Sequence, residues 1–208
     1  MSAILPSLPP AFRVTDDDVR PGGRSMIDLL VDDHLEVLAL CDRLAGSARS
    51  SSGRRLVDVL VAAVSRHLSA EEQYLYPTVR KVPPDGVDLA NRELTADAEM
   101  LRTLRRLHRT PVTDASFPAA VDAITRQWRR HARCADREVF PRLRDRCTGN
   151  ELIRLGNRVA IAQEAAPTRP HPATPTTPPA NKVVDPALGV VDKLRDALTG
   201  RVTWPEDL

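Results

Sequence analysis

Aromatic residues are scarce in this 208-residue chain, at 3%, and the apolar residues are mostly leucine, valine and alanine. That composition suits packed helices better than a sheet. Cysteine is scarce too. Cys41, Cys134 and Cys147 are odd in number and widely spaced, with no C-x-x-C pair, which argues against a disulfide framework and for a reducing compartment. No stretch approaches the ~20 apolar residues needed to span a bilayer. The leading MSAILPSLPPAF has neither a charged n-region nor a continuous apolar run, so no signal peptide is expected. Neither sign of charge dominates: 30 Lys and Arg face 28 Asp and Glu, a formal +2. The arginines are spread along helix faces, as in LRTLRRLHR, rather than gathered into the stripe that nucleic-acid binding requires. A cytoplasmic protein with no nucleic-acid or membrane partner is expected.

What the chain does have is helical periodicity. After a lead over residues 1–24, Ser25 is a candidate N-cap and Asp28 stands in the first turn. A first helix is expected from about Met26 to Leu44, with the stripe Ile27, Leu30, His34, Leu38, Cys41 and Leu44. A second, from about Arg54 to Arg80, carries Leu56, Leu60, Val64, His67, Glu71, Tyr74 and Leu75. A third, from about Val87 to His108, carries Leu89, Glu93, Asp97, Met100, Leu104 and Leu107. A fourth, from about Pro118 to Arg144, carries Val121, Ile124, Trp128, His131, Ala135, Val139 and Leu143. Pro77 and Pro141 fall late in their helices, where a kink or an end is expected. The fold expected is all-α, an up-down-up-down four-helix bundle over residues 25–145. An additional helix (146–166) and a Pro-rich tail with a short helix (167–208) follow.

Three histidines, His34, His67 and His131, thus lie in the apolar stripes of three different helices. Buried polar groups are costly unless paired or bound to metal. Glu71 follows His67 by four residues, and Glu93 and Asp97 are also four apart, which places each pair on one helix face. Asp136 follows His131 by five. His34 and His67 each lie about ten to thirteen residues, ~15–20 Å, from the turn that their helices share. Asp97 and His131 are placed in the same way about theirs. An antiparallel bundle therefore brings all the candidates to one level. Imidazole with carboxylate suits iron, manganese or zinc.

The segments Asp33-His34, His67-Leu68-Ser69-Ala70-Glu71-Glu72, Tyr74-Leu75-Tyr76-Pro77, His131 and Glu138-Val139-Phe140-Pro141 resemble the hemerythrin-like (HHE cation-binding) domain. Thr168-Arg169-Pro170-His171-Pro172 and Pro178-Pro179-Ala180-Asn181-Lys182 look like a tail found on its bacterial members. The resemblance implies a four-helix bundle holding non-haem iron, typically a di-iron centre. The implied roles are binding or sensing dioxygen, nitric oxide or peroxide, or managing iron. His34, His67, Glu71 and His131 match the family's ligand positions. Asp97 stands where the family usually has a histidine, and Ala135 where an acid often stands. Asp136, one residue on, is turned about 100° from Ala135 on a regular helix.

The metal ligands expected are therefore His34, His67, Glu71, Glu93, Asp97, His131 and Asp136, around one or two iron ions. Glu93, Asp97 and Asp136 are equally open to a reading as ordinary helix surface. Tyr74 is open to a role beside a ligand or to packing at the rim. Cys134 is open to a role as a sulfur ligand or as a small buried residue, and Glu72 is expected to be solvated. The rival reading is a degenerate bundle without metal, acting as a protein-interaction module through its tail. No catalytic acid or base is evident, and the sequence names no protein partner.

Overall fold

The computed structural model describes residues 21–47, 52–82, 84–171 and 181–208. Most of the N-terminal lead and residues 172–180 of the Pro-rich stretch lie outside the described residues. Helix α1 (Met26–Ser47) begins where Ser25 Oγ accepts a hydrogen bond from the Asp28 N–H at 3.1 Å. Helix α2 (Gly53–Ala70) continues through a π turn (Glu71–Leu75) into α3 (Tyr76–Val79). Helix α4 (Gly86–Arg109) follows. Helix α5 (Phe117–Cys134) runs through a second π turn (Ala135–Val139) into α6 (Phe140–Arg146). Helix α7 (Gly149–Ala165) starts from a capping box, in which Thr148 and Glu151 satisfy each other's backbone N–H groups. Helix α8 (Asn181–Thr199) and a 3₁₀ turn (Pro205–Asp207) complete the described elements.

The bundle is a ring in which α1 and α4 each pack against both α2 and α5, while α7 covers α1 and α2 from outside and α8 packs on α7. Residues 54–70 of α2 are therefore buried almost all round, apart from Arg54 and Arg55. Its Leu56-Val57, Val59-Leu60-Val61-Ala62-Ala63-Val64 and Leu68 fit that central place, since a helix apolar on every face is a buried one. Gly156 of α7 rests directly on the chain entering α1, where a Cβ would meet the Arg24 carbonyl oxygen at 2.1 Å. Among the described residues, no helix is long and apolar enough to cross a membrane.

Neither late proline ends its helix. The Tyr76 N–H donates to the Glu71 carbonyl and the Phe140 N–H to the Ala135 carbonyl, five residues back in each case. The proline that follows has no N–H, and its ring crowds the carbonyl four residues before it. One wider turn just ahead of Pro77 and of Pro141 takes up that misfit, so the helical run continues. The core is divided by this arrangement. One apolar cluster centres on Leu60, Val64, Leu104 and Trp128, and the other on Met26, Leu30, Leu75, Phe140 and Leu143. The candidate polar residues lie between them.

The C-terminal segment is fastened to α2 by charge. Arg201 Nε lies 3.1 Å from Asp58 Oδ1 and its guanidinium 3.1 Å from Asp196 Oδ2, with Asp58 and Asp196 both buried. Arg54 and His108 also face Asp58, at 2.7 and 3.4 Å. Burial pushes the Asp58 carboxyl up, but His108, Arg54 and Arg201 together hold it below its ordinary value. A carboxyl depressed in the folded state stabilises fully above its unfolded value and loses that contribution as pH falls through the folded one. Acidification below about pH 4 is therefore expected to free the segment. Trp204, whose ring lies 3.7 Å from the Arg66 guanidinium, reports this by a change in fluorescence. Asp58→Asn is expected to give the same change at neutral pH.

Candidate metal centre

Helix α1 supplies His34, α2 supplies His67, the π turn after it supplies Glu71, and α5 supplies His131; all four are buried, and one donor atom of each lies within 4.8 Å of the others. His67 Nε2 lies 3.2 Å from Glu71 Oε1 and 3.2 Å from His131 Nε2. Glu71 Oε2 lies 3.4 Å from His131 Nε2. The outer nitrogen of each of these two histidines faces a carboxylate: His67 Nδ1 is 2.9 Å from Asp33 Oδ2, and His131 Nδ1 is 3.2 Å from Asp97 Oδ1. A carboxylate on one ring nitrogen fixes the tautomer and orientation that present the other nitrogen to a metal.

His34 provides the test of fit. Both its ring nitrogens are buried without a hydrogen-bond partner, an arrangement that costs free energy unless something else satisfies them. Its ring lies among those of His67, His131, Trp128 and Phe140, at centroid distances of 4.8 to 6.0 Å. Burial, with the neighbouring His67 and His131, pushes its pKa down to about 2, so it is a neutral donor. Burial alone would also lower His67, but Glu71 and Asp33 hold it up at about 9. His131 is likewise lowered by burial and raised further by Glu71 and Asp97, ending well above its ordinary value. Glu71, which burial would raise, is held well below the usual carboxylate range by His131 and His67. The pocket is thus built to favour positive charge beside Glu71. Three imidazoles and one carboxylate form a donor set that suits iron, manganese or zinc.

The remaining expected ligands are placed differently. Asp97 is fully buried, as a ligand would be, yet it stands behind His131 and lies 2.5 Å from the Tyr76 hydroxyl. Burial raises its pKa despite the neighbouring His131. Glu93 is buried beside the cluster, but its carboxylate is taken by Arg92 at 2.9 Å. Asp136 is exposed, because Ala135 occupies the inward place four residues after His131 and the next residue falls on the outer face. Glu72, expected in solvent, is buried where α2 is covered from outside. Burial and Glu93 push the Cys134 thiol up to about 12, and it is not one of the four donors that the structure gathers.

Two residues that complete the centre were not among those expected. Asp33 sits one residue before His34, off the apolar stripe, and the DH pair was its only mark. Tyr76, not Tyr74, reaches the site, its hydroxyl donating to Glu71 Oε2 at 3.0 Å. Five residues separate it from Glu71, a spacing that faces one way only through the π turn. Pro77 was the signal for that turn. Burial, then Asp97 and Glu71, push the Tyr76 pKa well above its ordinary value, so it keeps its proton.

A family model described as the hemerythrin HHE cation-binding domain matches residues 25–143. Among solved structures, a hemerythrin HHE cation-binding domain-containing protein from Mycobacterium kansasii is similar. Its TM-score is 0.59 at 19% identity, over 67% of this chain and 85% of that one. That likeness shows the fold. A search of curated protein sequences returned no match. The matched region runs from the start of α1 into α6 and takes in all four residues of the buried cluster, and the chain belongs to the hemerythrin HHE cation-binding domain family.

Proposed function

We propose that the chain is a non-haem iron-binding hemerythrin-like protein that holds one metal ion on His34, His67, Glu71 and His131. Through that ion it binds or senses dioxygen, nitric oxide or peroxide, or manages iron. The observation that carries this reading is His34, whose two buried, partnerless nitrogens face two more imidazoles and a carboxylate. An iron ion would supply redox chemistry and positions at which a small diatomic molecule or peroxide attaches. The protein's own part is to orient and to exclude water. Asp33 and Asp97 face the outer nitrogens of His67 and His131, Tyr76 holds its one proton between Glu71 and Asp97, and Trp128 stacks on His131 with centroids 5.1 Å apart. The Trp128 N–H is spent on the His34 carbonyl at 3.1 Å, so the indole offers the pocket only its apolar face.

A single ion is favoured over two because Arg92 takes the Glu93 carboxylate, Asp97 stands behind His131 with one oxygen bonded by Tyr76, and Ala135 has no donor. The test is the iron, manganese and zinc content of the full chain after anaerobic reconstitution, with visible spectra before and after nitric oxide and air. About one iron per chain with a spectrum that responds to either gas is expected. Two ions per chain would overturn the single-ion reading. No bound metal would overturn the metal reading and leave the interaction-module alternative standing.

A further inference from the structure

Helix α7 lies beyond the matched residues 25–143, and none of the four candidate ligands comes from it. One of its side chains nevertheless reaches the centre from behind. Gln163 Nε2 donates to Asp33 Oδ2 at 2.5 Å, and that same oxygen lies 2.9 Å from His67 Nδ1. We propose that Gln163 is a positioning residue for the metal centre, anchoring Asp33 so that His67 presents Nε2 to Glu71 and His131. This inference rests on the metal reading above.

Asp33 needs an anchor because of where it stands. Its side chain is 29% exposed, against 1% for His67 and 0% for Glu71. It borders a cavity of about 210 Å³ that is lined also by Glu36, Arg66, Gln163, Glu164 and Trp204. Two alternatives compete for its carboxylate there: water, and the Arg66 guanidinium across the same cavity. Arg66 is occupied by the Thr203 carbonyl at 3.0 Å and by the Trp204 ring. Gln163 is a neutral donor. It holds one oxygen in place without neutralising the carboxylate, so the full negative charge remains available to the His67 N–H. An arginine or lysine in its place would compete with the imidazole for that charge. A carboxylate so fixed sets the ring's orientation and raises its basicity toward a metal.

The test uses cobalt(II) as the probe, because its visible bands report ligand geometry directly. The full-length chain is titrated with cobalt against a competing chelator as wild type, Gln163→Leu, Gln163→Glu, Asp33→Ala and the Asp33→Ala/Gln163→Leu double variant. Gln163→Leu, which keeps the bulk and loses the donor, is expected to weaken cobalt about tenfold and to shift its bands. Its metal-free melting temperature is expected to stay within about 2 °C of wild type. Gln163→Glu sets a second carboxylate against Asp33 and is expected to weaken cobalt at least as much. The double variant is expected to bind no more weakly than Asp33→Ala alone, because Gln163 acts through Asp33; a merely structural role would make the two losses multiply.

Wild-type affinity and spectrum in Gln163→Leu, or multiplying losses in the double variant, would overturn the inference while leaving the metal centre standing. A wild-type chain that takes up no cobalt would instead overturn the metal reading, and this inference with it.

Discussion

His67→Ala is expected to empty the centre, taking the metal content from about one ion per chain to a trace under the same reconstitution. His67 Nε2 is the atom at the middle of the cluster, 3.2 Å from both Glu71 Oε1 and His131 Nε2. Removing an outer partner of a ligand costs roughly 10–100-fold in metal affinity, and losing the ligand itself is expected to cost more. The substitution also acts without metal. Glu71 is fully buried and keeps its charge because two imidazoles face it. With one gone, only His131 and the Tyr76 hydroxyl remain. Breaking a buried pair from one side costs about 3–5 kcal/mol, a drop of roughly 6–20 °C in melting temperature for a chain of this size. Metal analysis and a melting curve with and without iron separate the two effects. Wild type is expected to melt higher with iron, and the variant to show no difference. A variant that still held about one ion per chain would show that the metal lies elsewhere.

The four helices and the common level of their histidines were legible because an apolar stripe with period 3.6 needs no tertiary knowledge to be read. His34, His67, Glu71 and His131 fall within those stripes, and the structure brings them together. What periodicity could not give was anything decided by a neighbouring element. Asp33 falls off the α1 stripe and reads as surface, yet α2 and α7 supply the His67 and Gln163 that enclose it. Glu72 reads as solvated for the same reason, because the covering of the outer face of α2 cannot be seen from α2 alone. Tyr76 was hidden by the assumption of a uniform helix. With 3.6 residues per turn, a residue five beyond Glu71 points well away from it, and only the wider turn ahead of Pro77 brings the hydroxyl round. Asp97 shows the opposite limit. The sequence leaves it open between ligand and helix surface; it is buried on the inner face, but a position on a face does not distinguish a metal ligand from a partner of His131.

The double variant Asp97→His/Ala135→Glu is expected to raise the metal content from one ion per chain to two. The reason is a likeness between α2 and α5 that the two π turns make plain. His67, Glu71, Tyr76 and Pro77 have the same spacing as His131, Ala135, Phe140 and Pro141, and each π turn closes on the carbonyl at the fourth position after its histidine. The two halves share a backbone and differ in chemistry: the second has no carboxylate at 135 and no hydroxyl at 140. Ala135 is 4% exposed on the inner face, so a glutamate there starts from the place in the second π turn that Glu71 occupies in the first. A histidine at 97 puts an imidazole of α4 at the level of the centre, since the one that α4 has, His108, faces Asp58 instead. Ala135→Glu alone buries a carboxylate with no imidazole dedicated to it. Without metal it is expected to cost about 3 kcal/mol, roughly 6–12 °C of melting temperature. In the double variant, added metal is expected to recover most of that loss, giving a larger metal-dependent rise than wild type shows. Iron counted per chain and melting curves at several iron concentrations decide the matter. A double variant that folds but stays at one ion would show that Phe140 and the packing around it, and not the missing donors, keep the second position closed.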